Sequence, residues 1–195
     1  RTEDEALFRE KLQRFPQLSA VAVGNLGHLP IVEGLGLEVR GDFGLNVFNS
    51  RALAFLRELG LASATVSFEL RHQQVRDLAK LLPCEGIVYG RLPLMVMENC
   101  ITKNNVGCRH GAGSTLTDRT GAQFPVQCVY GCRNEIENSL PLFLADKAEW
   151  RGCGLTSARL RFTTETADEC AAVLRRYRGE GDYAPEKYTR GLFYR

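Results

Sequence analysis

The feature that most constrains the fold is a series of short apolar segments separated by amphipathic ones. Four segments are predicted to be buried strands, at residues 21–25, 37–42, 64–69 and 86–91. Helical patterns cover residues 3–15, 50–60 and 71–81, and the last two separate the later strands. Strands that alternate with helices favour a parallel sheet built from βαβ units. Four such strands amount to half of an eight-stranded (β/α) barrel.

Capping residues predict where two of the helices begin and end. Ser50 is a plausible N-cap for the helix that follows the second strand, and Gly60 is expected to end it. Thr166 and Glu169 have the spacing of a capping box, which predicts a helix over residues 166–181.

The pattern changes at about residue 93, where the helical periodicity fades. Residues 116–126 indicate two short strands joined by a DRTG turn, and residues 158–165 alternate in the manner of a half-exposed strand. We therefore expect an α/β chain with two parts. Residues 1–95 form a partial (β/α) barrel, and residues 96–195 form a small mixed α+β module that carries most of the cysteines.

A half barrel would expose the unpaired backbone groups of its outer strands. Either a second copy of the chain covers these edges, or the natural protein continues upstream of Arg1, and the sequence favours the second. The first residue is not a methionine, which fits a piece of a longer protein.

Composition narrows the class of protein. The net charge of +2 is too small to imply nucleic-acid binding by itself, and no apolar run is long enough to span a membrane. The chain has seven cysteines, an odd number, and no secretory signal, so reduced thiols or a metal site in the cytoplasm are expected. Three of these cysteines are expected to be structural: Cys84, Cys153 and Cys170.

The other four cysteines, Cys100, Cys108, Cys128 and Cys132, lie in Gly/Asn-rich stretches. Four thiolates can hold either a tetrahedral zinc ion or a four-iron four-sulfur cluster, and the irregular spacing fits the cluster slightly better. His110 is an alternative ligand. Free cysteine is also among the most buried residue types, so the same residues are compatible with simple core packing.

Polar residues at predicted strand ends are the second candidate site, because the loops after parallel strands converge at one end of a barrel. Glu69, Arg91 and Glu98 could bind a substrate carboxylate or act as acid and base. The alternative is that they form ion pairs at the barrel rim. The motifs of zinc peptidases, serine hydrolases and phosphate-binding loops do not occur. Arginines and aromatic residues near the C-terminus give only a weak indication of RNA binding.

Six ordered motifs resemble the collagenase-like peptidases, peptidase family U thirty-two. They are GDFGLNVFNSRA, SFELR, VYGRLPLMVMENC, LTDRTGAQFPVQC, GCRNEIENSLPLFLAD and YTRGLFYR, over roughly residues 37–195. The resemblance implies a (β/α) barrel followed by a small module, with the first half of the barrel missing from this chain. It implies that the chain is the C-terminal part of a longer protein.

The family name implies peptide hydrolysis. Other branches resemble iron–sulfur proteins that hydroxylate RNA bases or a quinone precursor. Carried over by motif, Cys100, Cys108 and Cys132 match cluster positions of those branches. Many relatives have a second cysteine where this chain has Gly111, and Cys128 is the nearest substitute, with His110 behind it.

Overall fold

The computed structural model describes residues 4–108, 113–129 and 133–195. The described helices are α1 (Glu5–Gln13), α2 (Leu29–Val32), α3 (Ser50–Glu58), α4 (His72–Leu78), α5 (Ile101–Val106) and α6 (Ala167–Arg178). The described strands are β1 (Ala20–Val23), β2 (Glu38–Gly41), β3 (Ser63–Thr65), β4 (Cys84–Gly90), β5 (Pro93–Met97), β6 (Ser114–Thr117), β7 (Gln123–Val129), β8 (Arg133–Glu137), β9 (Leu142–Phe143) and β10 (Ser157–Arg161).

The chain divides into two compact units. The first contains residues 1–87, 148–159 and 191–195, and the second contains residues 88–147 and 160–190. The predicted division of the chain at residue 95 stays a prediction. No helix in the described part of the chain is long and apolar enough to cross a membrane.

The first unit is built on a parallel sheet that curls like half of a barrel. Its strands follow the order β1-β2-β3-β4, each parallel to the next, and β10 lies beside β4. All four predicted strands are therefore present in the expected order. The third is shorter than expected, since β3 ends at Thr65, and beyond it Val66 makes only an isolated bridge to Val47.

The turn after β2 packs directly on the end of β1. A Cβ atom at Gly44 would lie 2.6 Å from the carbonyl oxygen of Gly24, which is closer than real Cβ atoms approach backbone. Only glycine fits at position 44 without a shift of the backbone. This close approach holds Asp42, at the end of β2, beside Gly24, whose own Cβ position is 3.9 Å from the Asp42 Cβ.

Helix α3 packs against this sheet through Leu53 and Leu56, which are buried. Its N-cap is Asn49, whose side chain accepts a hydrogen bond from the Ala52 N–H at 2.9 Å. The prediction that Ser50 is the cap is therefore wrong by one residue, because an asparagine with an extended backbone precedes the serine. The predicted end is correct, and Gly60 has a positive φ of 85°.

Helix α1 forms as predicted, but its apolar residues stay at the surface. No side chain of α1 is buried, and Leu7 and Phe8 are 45% and 53% exposed. The hydrophobic periodicity predicted the helix correctly, and on its apolar face Leu12 is half-buried whereas Leu7 and Phe8 are exposed.

The second unit contains a four-stranded antiparallel sheet in the order β5-β8-β7-β6. The predicted hairpin is confirmed as β6 and β7, joined through a turn in which Asp118 accepts hydrogen bonds from Thr120 and Ala122. Strand β9 pairs antiparallel with the last residues of β4. The chain is thus a mixed α/β protein with a parallel half-barrel sheet and a second, antiparallel sheet.

Aromatic side chains form the core of the second unit. The Tyr177 hydroxyl donates to the Val88 carbonyl at 2.6 Å and accepts from the Leu144 N–H at 3.0 Å. The rings of Tyr89 and Phe143 pack edge to face with each other and with Tyr177. Tyr177 lies on α6, which begins at the predicted capping box. The buried hydroxyl therefore ties α6 to β4 and to the residue after β9, with both its donor and its acceptor in use.

Candidate functional site

The cysteine-rich stretch contains a short helix that the sequence pattern did not predict. Helix α5 begins directly after Cys100, which is its N-cap and is 9% exposed. The Cys100 Sγ atom accepts a hydrogen bond from the Lys103 N–H at 3.4 Å. A sulfur atom in the place of the usual Ser or Asp oxygen is an uncommon cap, and it fixes the thiol at the start of the helix.

Asn134 connects this helix start to a second cysteine. Its side chain is buried, and its Oδ1 accepts from the Ile101 N–H at 2.8 Å. Its Nδ2 approaches the Cys128 Sγ at 4.0 Å, and Cys128 is its direct partner in the β7–β8 register. Asn134 therefore contacts Cys128 and the residue that follows Cys100 in the chain.

The remaining predicted ligands are less well defined. Cys108 is exposed and follows Gly107, which has a positive φ of 83°. Cys132, His110 and Gly111 lie outside the described residues. Within residues 4–108, 113–129 and 133–195, no three His, Cys, Asp or Glu side chains are grouped closely enough to hold a metal ion. Among the described residues, Asn134 thus links Cys128 to the start of the helix that Cys100 caps, and Cys108 is exposed to solvent.

The three cysteines that were predicted to be structural lie in different environments. Cys84 and Cys153 are buried, and burial raises the pKa of the Cys84 thiol to about 11 and also raises that of Cys153. Both therefore stay protonated and unreactive at neutral pH. Cys170 lies half-buried on α6.

The predicted acid–base residues each have a local environment of their own. Glu69 is exposed in the first unit, and its N–H donates to the Ser67 hydroxyl at 3.4 Å. Glu98, in the second unit, is 80% exposed at its side chain and forms an ion pair with Arg133 at 2.6 Å. Both carboxylates are accessible to a large substrate.

The Arg91 side chain binds main-chain carbonyl groups. Its guanidinium donates to the carbonyl oxygens of Asn138, at 2.9 Å, and Ser139, and approaches the Thr164 hydroxyl at 3.3 Å. An arginine that binds main-chain carbonyls fixes the path of a loop. The guanidinium of Arg91 therefore holds the segment after β8 in place.

Sequence reasoning missed a charged cluster in the first unit. Arg159 on β10 forms ion pairs with Asp42 and Glu85, both at 2.5 Å, and its side chain is 28% exposed. Thr65 donates to the same Glu85 carboxylate at 2.9 Å, and the Phe43 ring lies 6.0 Å from the guanidinium. Asp42 follows β2 directly, and its basic partner lies 117 positions away in the chain.

A second missed cluster lies in the second unit. Arg161, two residues further along β10, pairs with Glu135 and with Glu137, the latter at 2.7 Å. Glu137 is fully buried, and its second oxygen, Oε1, has no hydrogen-bond donor. Desolvation raises the pKa of Glu137, opposed by Arg161 and reinforced by Glu135.

Strand β10 was predicted to be half-exposed, with apolar Leu160 and Phe162 alternating with two arginines. In the structure Arg161 is the better buried of these, at 16%, whereas Phe162 is 38% exposed. Alternation correctly predicted a strand. Which side chains of the strand are buried depends on acidic partners on strands far away in the sequence, and local alternation carries no information about those partners.

Comparison of the chain with protein-family models, curated proteins and solved structures gives no match.

Proposed function

We propose that the chain is part of a cytoplasmic enzyme of the collagenase-like peptidase type that holds a four-iron four-sulfur cluster and hydroxylates an RNA base or another aromatic substrate. The observation that supports this best is Asn134, which approaches the Cys128 sulfur and binds the N–H of Ile101, the residue after Cys100. A buried amide beside a thiol is the kind of outer partner that orients cluster ligands.

In this proposal Cys100, Cys108, Cys128 and Cys132 are the four ligands, with zinc as the alternative occupant. Asn134 keeps the start of α5 and Cys128 in fixed positions through its two hydrogen-bonding groups. Cys108 is exposed, so it can reorient toward an incoming cluster without breaking a packed core. The cluster, when bound, would supply electrons to the reaction.

Peptide hydrolysis, which the family name implies, is the second candidate function. It is favoured by the exposure of Glu69 and Glu98, since a peptide can reach both carboxylates directly. Glu98 would then act as acid or base together with the neighbouring Arg133, and Glu69 would act in the first unit. Arg91 supports this function only by holding the loop after β8.

Metal content of the chain tests the first proposal. Anaerobic expression and purification should give a brown protein with about four irons per chain. Cys100→Ser and Cys128→Ser should each lower the iron content sharply, because each removes a thiolate ligand. Cys170→Ser is the matched control, since this half-buried cysteine on α6 belongs to no proposed site. A colourless protein with one zinc, or iron that survives both ligand variants, would contradict the cluster.

A cleavage assay separates the two functions. Hydrolysis of unstructured peptides by a variant with all four cysteines changed to serine would favour the peptidase. Loss of that hydrolysis in Glu69→Gln and Glu98→Gln variants would then identify the acid–base residues. Absence of cleavage by the wild-type chain under the same conditions would contradict the second candidate.

A further inference from the structure

The Arg161 cluster of the second unit has more negative than positive groups. Glu135 and Glu137 are two residues apart on β8, so both side chains point to the same face of the sheet. Both pair with the guanidinium of Arg161. The same guanidinium also donates to the Arg91 carbonyl oxygen at 2.6 Å. One cation thus faces two carboxyl groups, of which Glu137 is fully buried.

The two oxygens of Glu137 have different surroundings. Oε2 accepts from Arg161 at 2.7 Å, whereas Oε1 is buried and receives no hydrogen bond. A buried carboxylate oxygen without a donor is costly, because water no longer solvates its charge. A neutral carboxyl group at the same place needs an acceptor instead of a donor, and the Glu135 carboxylate, which binds the same guanidinium, can supply one.

The strand residues paired with Glu135 and Glu137 in the described part of the chain add no charge to the pair. On β5 the register partners of Glu137 and Glu135 are Pro93 and Val96, and on β7 the partner of Glu135 is Gln127, none of which is charged. From β10 the facing group is Arg161. The Arg91 side chain points to the Asn138 and Ser139 carbonyls.

We propose that Glu137 keeps its proton at pH values at which exposed glutamates are ionised, so that its neutral carboxyl group and the Glu135 carboxylate bind Arg161 together. The pair then carries one negative charge, which the guanidinium balances. The second unit therefore contains a site that binds a proton, and the unit is most stable when that proton is bound.

The direction of the pH dependence follows from the difference between folded and unfolded chains. Burial and Glu135 raise the folded-state pKa of Glu137 above its ordinary value of 4.5. At pH values between the ordinary pKa and the folded-state pKa of Glu137, the folded chain binds more protons than the unfolded chain. The stabilisation is complete below the ordinary value and is lost as the pH rises through the folded-state value.

Unfolding by urea at several pH values between 5 and 9 tests the proposal. The unfolding equilibrium constant of the wild-type chain should rise with pH relative to that of Glu137→Gln, by up to about tenfold per pH unit. Glutamine has nearly the same shape as a neutral glutamic acid, and it cannot ionise. Glu186→Gln, at an exposed position of the same unit, is the matched control and should leave the wild-type pH dependence unchanged.

A second measurement does not depend on the stability of the variant. Carboxyl-carbon NMR of the wild-type chain, labelled at glutamate, should show Glu137 protonated at a pH at which the exposed glutamates are ionised. If Glu137 is ionised at that pH, or if wild type and Glu137→Gln keep a constant ratio of unfolding constants, the proposed proton on Glu137 does not exist.

Discussion

At the scale of single residues, Asn134 determines the arrangement of the cysteine-rich region. Its amide satisfies the Ile101 N–H at the start of α5 and approaches the Cys128 sulfur. The side chain is 1% exposed, so no water replaces these partners if it is removed. Because both the donor and the acceptor of this buried amide are in use, the Asn134 side chain fixes the positions of both partners.

Replacing Asn134 with alanine should lower the free energy of unfolding by about 1–3 kcal/mol, since it leaves the Ile101 N–H without its acceptor. Urea denaturation of the metal-free chain measures the loss. Asn104→Ala is the control, because the Asn104 amide bonds Asn99 at the exposed surface. Its effect should stay within about 0.5 kcal/mol. Equal effects of the two changes would show that the Asn134 network contributes no stability.

The sequence predicted part of the candidate site and missed its centre. Cysteines are few enough that Cys100 and Cys128 stand out in the printed sequence. Asn134 and Glu137 do not, because nothing in NEIE distinguishes a buried polar side chain from a solvated one. Whether such a side chain is buried depends on partners from α5, β7 and β10, which lie far away along the chain.

At the scale of secondary structure, the regular alternation of strands and helices was easier to predict than the short elements. The four parallel strands and α6 follow strong local patterns. Helix α5 has only six residues, ITKNNV, and contains two asparagines, which are poor helix formers. It forms because Cys100 and Asn134 satisfy N–H groups of its first turn, a tertiary effect that periodicity does not detect.

The N-cap of α3 provides a test at this scale. Asn49→Ala should destabilise the chain by about 1 kcal/mol, since the Ala52 N–H loses its acceptor. Ser50→Ala is the matched change one residue later, at the first helical position, and should have almost no effect. Thermal unfolding followed by circular dichroism measures both. A larger loss for Ser50→Ala than for Asn49→Ala would restore the serine as the cap.

At the scale of the whole molecule, each unit has large apolar side chains at its surface. Strand β5 lies at an edge of the antiparallel sheet, and Leu94, Met95 and Val96 are 54%, 54% and 60% exposed. In the first unit, Phe8 and Phe15 are also about half exposed. An apolar edge strand is a template for pairing with another chain.

We therefore expect the chain alone to self-associate as its concentration increases, which static light scattering detects. Val96→Lys should reduce the association, because a charge on an edge strand opposes pairing. Thr117→Lys, on the opposite edge strand β6, adds the same charge at an exposed polar position and serves as control. A monomer at all concentrations, or equal effects of the two lysines, would contradict the involvement of β5.

The contact between α4 and residues 191–195 affects when the first unit can finish folding during synthesis. The His72 N–H donates to the Phe193 carbonyl at 3.0 Å, and the His72 ring packs near those of Phe193 and Tyr194. During synthesis the ribosome releases the parallel strands long before these aromatic residues exist. The first unit therefore begins to fold before its last contact can form, and until then the His72 N–H and ring lack their partners from residues 191–195.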